Sequence, residues 1–245
     1  MSRPFTLDGY AALIEAFKGL GYRCRSFDGA KPGSGELRLR HDVDYCLRAA
    51  AAMAAGEAEL GVTSTWFILV RSPLFNPFGA EERELLRSLR HGGSAIGLHF
   101  DASYYPDADL AVLEEAAAQE IAALELASGG PVVATSFHKP PPFLAALEQR
   151  FVDRPHTSQP AYMRDSLYSS DTLSRFGHGD PVDLARAAGL PPVHLLTHPI
   201  WWTGTEADDG LAKLDRLVEG RQQITVEAVA RSVTAYRMRL MEAAE

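Results

Sequence analysis

The sequence predicts an α/β protein with parallel strands inside and helices outside. Three observations predict it: apolar runs rich in β-branched and aromatic residues alternate with helix-period segments, the alternation repeats as β-α-β units, and the unusual polar residues fall where strands end. An α/β barrel commonly needs roughly 250 residues, so the 245-residue chain is read as one domain over residues 1–245.

The first helix is expected over 6–20, where Tyr10, Leu13, Ile14 and Phe17 share one face and Gly21 stops it. Residues 37–41 read as the first strand. An Ala-rich helix over 47–60 ends at Gly61, and 62–70 is the second strand. A helix over 81–89 leads to a third strand over 94–100. Leu110, Leu113, Ala117, Ile121 and Leu124 form a stripe capped by Asp109 and closed by Gly129-Gly130. A strand over 131–137 runs into His138, a helix covers 182–188, and a strand over 193–197 runs into His198. Two helices, 208–218 and 226–241, the latter led by Thr225, complete the chain, with the N-terminal and C-terminal helices packed on the domain.

Two clusters carry the chemistry: Arg40-His41-Asp42-Val43-Asp44 and Gly97-Leu98-His99-Phe100-Asp101. Residues two apart on a strand share a face, so Asp42 and Asp44 point into one cavity while Val43 points away. Two ionised carboxylates buried together need a cation or a proton between them, and a divalent metal with an adjacent water answers that need. Asp44 could instead cap the helix that follows. With Ser72, His138 and His198, these residues sit at strand C-termini, which in a parallel barrel converge on one mouth. His91, His156, His178 and His194 do not share that position, and His41 is read as structural or as support for the motif.

A formal charge of −8 and the lack of a basic window exclude a nucleic-acid partner. No run approaches the roughly 20 apolar residues of a membrane span, and the N-terminus lacks a leader pattern, which predicts a cytoplasmic location. Cys24 and Cys46 are too few for a disulfide framework.

Asp-Val-Asp after the first strand, Ser64-Thr65-Trp66-Phe67 in the second, Gly-Leu-His at the third, Phe137-His138-Lys139-Pro140-Pro141, and Leu196-Thr197-His198 resemble the ordered motifs of polysaccharide deacetylases, carbohydrate esterase family four and its relatives. The resemblance covers about residues 36–202 and lies in motif order. It implies a distorted seven-stranded (β/α) barrel that removes N-acetyl groups from amino sugars with one divalent metal ion, usually zinc. It makes Asp42 the general base, Asp44 and His99 metal ligands, and His198 the general acid, with Asp165 orienting His198.

One departure matters. The family's third ligand is a histidine four residues after the first, and here that position is Ser103. A catalytic zinc usually has three protein ligands, so another group is needed; His138 is the first choice, Asp101 the second, and a site without metal the third. The usual arginine of the Pro-rich motif is absent too, which leaves His138 or Lys139 to face Asp42. Asp101, Lys139, Tyr104, Arg164, Trp201 and Trp202 are candidate substrate contacts, the indoles as stacking surfaces for a sugar ring. The proline-punctuated loop 71–77 is a candidate wall of the mouth.

The expected substrate is a small molecule or oligosaccharide bearing an N-acyl amino sugar, such as a nucleotide-linked sugar or a biosynthetic intermediate. Two rival classes stand beside it: a metal hydrolase acting on a non-sugar amide, and a carbohydrate-binding relative without catalysis.

Overall fold

The computed structural model describes residues 3–90 and 93–243, so His91 lies outside the described residues. Among the described residues seven strands form one parallel sheet: β1 (Arg23–Arg25), β2 (Glu36–Val43), β3 (Thr65–Ile68), β4 (Ala95–Asp101), β5 (Val132–His138), β6 (Leu167–Ser170) and β7 (Val193–Thr197). Their order is β5-β4-β3-β2-β7-β6, with β1 against the first residues of β2. Strands β1 and β6 escape a reading by hydrophobic run: β1 is Arg-Cys-Arg, and β6 is four residues, Leu-Tyr-Ser-Ser.

The barrel does not close. Among the described residues β5 and β6 share no ladder; β5 instead takes the extended segment at 155–157, where the Thr135 N–H donates to the Pro155 carbonyl and the Thr157 N–H to the Thr135 carbonyl, both at 3.0 Å. The connection between β5 and β6 holds Pro140, Pro141, Pro142, Pro155 and Pro160, which have no N–H to give a ladder. It forms two short helices, α5 (Pro142–Ala145) and α6 (Pro160–Met163).

The longer helices pack on the outside of the sheet. Helix α1 (Leu7–Gly19) is capped by Thr6, whose hydroxyl accepts from the Gly9 N–H, and buries Tyr10, Leu13, Ile14 and Phe17 as the spacing predicts. Helix α2 (Leu47–Leu60) ends on Gly61 in the left-handed conformation, and α4 (Leu110–Ser128) runs from the Asp109 cap to left-handed Gly129. Helices α3 (Ala80–Ser88) and α7 (Pro181–Ala187) fall within a residue or so of expectation. At the C-terminus the expectation fails: α8 (Gly210–Ser232) runs unbroken through Thr225, whose hydroxyl bonds back to the Arg221 carbonyl, and the break comes at Val233 before α9 (Thr234–Glu242). Residues 219–224 contain no proline and only one glycine, so nothing stops the helix there. Only Gly210 and Lys213 of α8 are buried and none of α9, so this pair rests on the domain by its first turns alone.

Alternation along the strands separates two environments. Leu37, Leu39, Val43, Trp66, Ile68, Ile96, Leu98, Phe100, Val193 and Leu195 point outward into the main apolar core beneath the helices. The opposite set faces inward and is polar: Arg38, Arg40, Asp42, Thr65, His99, Ser136 and His194, packed around the small cluster Phe27, Phe67, Ala134 and Tyr162. Gly97 permits this crowding, because a Cβ there would stand 2.3 Å from Phe67 Cδ1.

Candidate active site

The inward residues at the ends of β2, β4, β5 and β7 line a cavity of about 610 Å3. Asp42, Asp44, His99, His138 and His198 meet there, as their positions at strand ends predict. Asp44 does not cap α2: the cap position is Cys46, without a side-chain bond. The Ser72 hydroxyl donates to the Asp44 carbonyl at 2.7 Å and fixes the turn after β2.

Asp42 is held by Arg40 from the same strand face. The guanidinium donates Nε to Oδ1 at 2.8 Å and a terminal nitrogen to Oδ2 at 2.6 Å, and the Ser136 hydroxyl adds a bond to Oδ1 at 3.3 Å. Burial opposes ionisation of Asp42, but Arg40 first, then His99 and His198, hold the carboxyl well below its ordinary value. Arg40 thus stands where Lys139 or His138 was expected. The alternation that puts Asp42 and Asp44 together also puts Arg40 on their face, and that signal was available in the sequence. Lys139 lines the cavity from an exposed position, with its backbone left-handed at φ 44°.

Three histidines are anchored alike. His99 Nδ1 bonds Ser136 Oγ at 2.7 Å, His138 Nδ1 bonds Asp101 Oδ2 at 2.8 Å, and His198 Nδ1 bonds Asp171 Oδ1 at 2.6 Å. Nε2 of His99 lies 3.1 Å from Asp44 Oδ1 and 3.6 Å from Asp42 Oδ2, and Nε2 of His198 lies 3.9 Å from Asp44 Oδ2.

Asp171 is not among the residues that the sequence singles out. It is fully buried and also accepts the His198 backbone N–H (3.0 and 3.1 Å) and the Trp202 indole N–H (2.8 Å). Burial disfavours the charged His198 ring, but Asp171, helped by Asp42 and Asp44, lifts its pKa to about 9. Asp165, given that role from the resemblance, pairs instead with Lys31 at 3.1 Å and is half exposed. Asp171 lies just beyond β6, beside the end of β7 where His198 stands, whereas Asp165 precedes β6.

The other candidates separate. Trp201 and Trp202 are buried, not stacking platforms; Trp202 packs on Phe5 and Tyr10. Tyr104 is exposed beside Arg71, and its hydroxyl donates to the Arg71 carbonyl, away from the cavity. Loop 71–77 does not line it either; the wall comes from residues of 139–164, including Lys139, Met163 and Arg164, the last paired with Glu148 at 3.3 Å. Asp101 faces His138 and the Ser103 N–H. His41 points to the outer face, where Glu57 takes its Nε2 (2.8 Å) together with the Tyr10 and Ser64 hydroxyls, and Thr197 takes its Nδ1 (2.6 Å).

The donor chemistry suits a divalent cation in one respect: Asp44 Oδ1 is a buried carboxylate oxygen with no hydrogen-bond donor, next to an imidazole nitrogen. Among the described residues, no three His, Cys, Asp or Glu side chains already surround one point as metal ligands. Ser103, where the resemblance would have a third ligand, is exposed to solvent.

No family model and no curated protein matches the chain. Solved structures do match. The Xyl-CE4 domain of a multidomain xylanase from the hindgut metagenome of Trinervitermes trinervoides is 12% identical, with TM-score 0.45, over 76% of this chain and 82% of that one. A peptidoglycan deacetylase from Bacillus subtilis is 11% identical, with TM-score 0.44, over 86% and 97%. A family 4 pseudoenzyme from Bacillus anthracis is 12% identical, with TM-score 0.45, over 82% and 63%. These neighbours carry the name of carbohydrate esterase family 4 or of a deacetylase. No helix among the described residues is long and apolar enough to cross a membrane.

Proposed function

We propose that the chain is a metal-dependent amide hydrolase that removes an N-acetyl or similar acyl group from an amino sugar or a sugar-containing intermediate. The observation that carries this reading is the opposition, across one cavity, of an Arg-held carboxylate, Asp42, and an Asp-held imidazole, His198. Environments that push two groups' pKa values apart assign base and acid.

Asp44 and His99 would hold the ion, zinc being the expected metal; when bound it polarises an acyl carbonyl and acidifies water. Asp42 accepts the proton of the attacking water. A carboxylate held low by Arg40 is a weak base, suited to taking a proton from water that a bound ion would acidify. His198, whose protonated ring Asp171 favours, gives its Nε2 proton to the departing amine nitrogen, while Asp171 keeps its bond to Nδ1–H and so fixes the tautomer. Lys139, Arg164 and Tyr168 line the approach for the polar groups of a sugar.

The test is a panel of N-acetylated monosaccharides, nucleotide-linked amino sugars and non-sugar amides, incubated with zinc-supplied protein and read as acetate and free amine. Release from amino sugars is expected; release from non-sugar amides alone would overturn the substrate class. A second reading, a carbohydrate-binding relative without turnover, draws on the absence of three gathered ligands among the described residues. Sugar binding with no release across the panel would favour it.

A further inference from the structure

We infer that His138, aligned by Asp101, is the donor that takes the place left by Ser103. The inference rests on reading the cavity as a metal centre and adds the residue that completes it. His138 ends β5 directly beside Asp101 at the end of β4, since the two are register partners in the parallel pair. Asp101 occupies both its oxygens with local work: Oδ1 accepts the Ser103 N–H at 2.9 Å, which holds the turn after β4, and Oδ2 takes His138 Nδ1 at 2.8 Å. A carboxylate oxygen accepting at Nδ1 makes that nitrogen the N–H and leaves Nε2 free to ligate, the usual arrangement behind a metal-ligating histidine.

The spacing agrees. With metal–nitrogen bonds of about 2.0–2.1 Å, two imidazoles on one tetrahedral ion hold their ring centroids roughly 5 Å apart; the centroids of His99 and His138 are 5.3 Å apart, edge to face. Neighbouring donors on such an ion stand roughly 3.3 Å apart, and His99 Nε2 is 3.1 Å from Asp44 Oδ1. Ser103 offers no imidazole, but its backbone N–H serves the site by steering Asp101.

Cobalt(II) titration of the purified full chain, followed by ligand-field absorption and by metal content after desalting, tests this without recourse to turnover. Wild-type protein should take up one equivalent with a four-coordinate spectrum. His138→Ala should lose the spectrum and bind at least 100-fold more weakly. Asp101→Ala should weaken binding about 10–100-fold, and Asp101→Asn, which keeps an acceptor for Nδ1–H, should recover part of that. Melting of the metal-free variants checks that each is folded. An unchanged cobalt affinity and spectrum in folded His138→Ala would overturn the assignment while leaving the hydrolase reading standing. Tight cobalt binding through His138 with no release from any amide would do the reverse.

Discussion

Replacing Asp171 by Asn should uncouple His198 from its proton. In the metal-free protein Asp171 accepts three N–H groups, from His198 Nδ1, the His198 backbone and Trp202, all inside the domain. The amide offers one acceptor oxygen, so at least one buried N–H loses its partner, at a cost of about 1–3 kcal/mol in stability. The larger effect falls on titration. With the anion gone, His198 should drop from about 9 to 6.5 or lower, a shift worth roughly 3 kcal/mol between its two protonation states. At pH 8 the protonated fraction falls from about 0.9 to about 0.03, roughly 30-fold, whereas at pH 6 the two proteins differ by only about 1.3-fold. Proton-observed titration of labelled histidine in the metal-free protein measures the shift directly. Hydrolysis should follow it, with a defect that widens as pH rises. The same linkage has a sign for folding: a raised pKa stabilises fully below pH 6.5, and that contribution is lost as pH climbs through about 9. If His198 in Asp171→Asn still titrates near 9, the dyad does not govern its proton and the assignment of the general acid fails.

Arg40→Ala strands the buried Asp42 carboxylate and should cost about 3–5 kcal/mol in denaturant unfolding; Arg40→Lys, with a single ammonium, should recover only part, and a loss below 1 kcal/mol for the alanine would contradict the pairing. On the acid side, burial holds His156 near 4 and, with Arg40, His194 near 3, so both stay neutral in the fold while the unfolded chain binds protons below 6.5. Stability should therefore be full above pH 6.5 and fall by roughly 8 kcal/mol in total as pH drops through 4 and 3; a flat unfolding free energy between pH 7 and 5 would refute this. Gly97→Ala should destabilise by about 1–3 kcal/mol or more, since its Cβ meets the Phe67 ring, and Phe67→Leu in the same chain should relieve part of the loss in thermal melts.

Most of the outer architecture was legible because it obeys simple periods: α1, α2 and α4 show their buried stripes and caps, and β2, β4, β5 and β7 end in the polar residues that identify the site. The site's partners were harder to see. Arg40 was within reach by alternation alone, yet it is masked by a motif that directs attention to Asp42 and Asp44. Asp171 could not be distinguished from Asp165, because only the pairing of β6 with β7 brings one of them against His198. Trp201 and Trp202 are amphipathic side chains for which burial and sugar stacking look identical in sequence; the bond from Trp202 to Asp171 decides for burial. The open side of the barrel follows from five prolines between β5 and β6, but how the segment at 155–157 covers β5 is a tertiary fact.

In the proposed mechanism two neighbouring carboxylates do different work, Asp42 taking a proton and Asp44 holding the ion. Asp42→Asn separates them in one preparation, measured for metal content and for amide hydrolysis. The variant should hold one equivalent of divalent metal, as in wild type, with turnover reduced by at least 100-fold. Loss of the metal with Asp42, or turnover within tenfold of wild type, would contradict it.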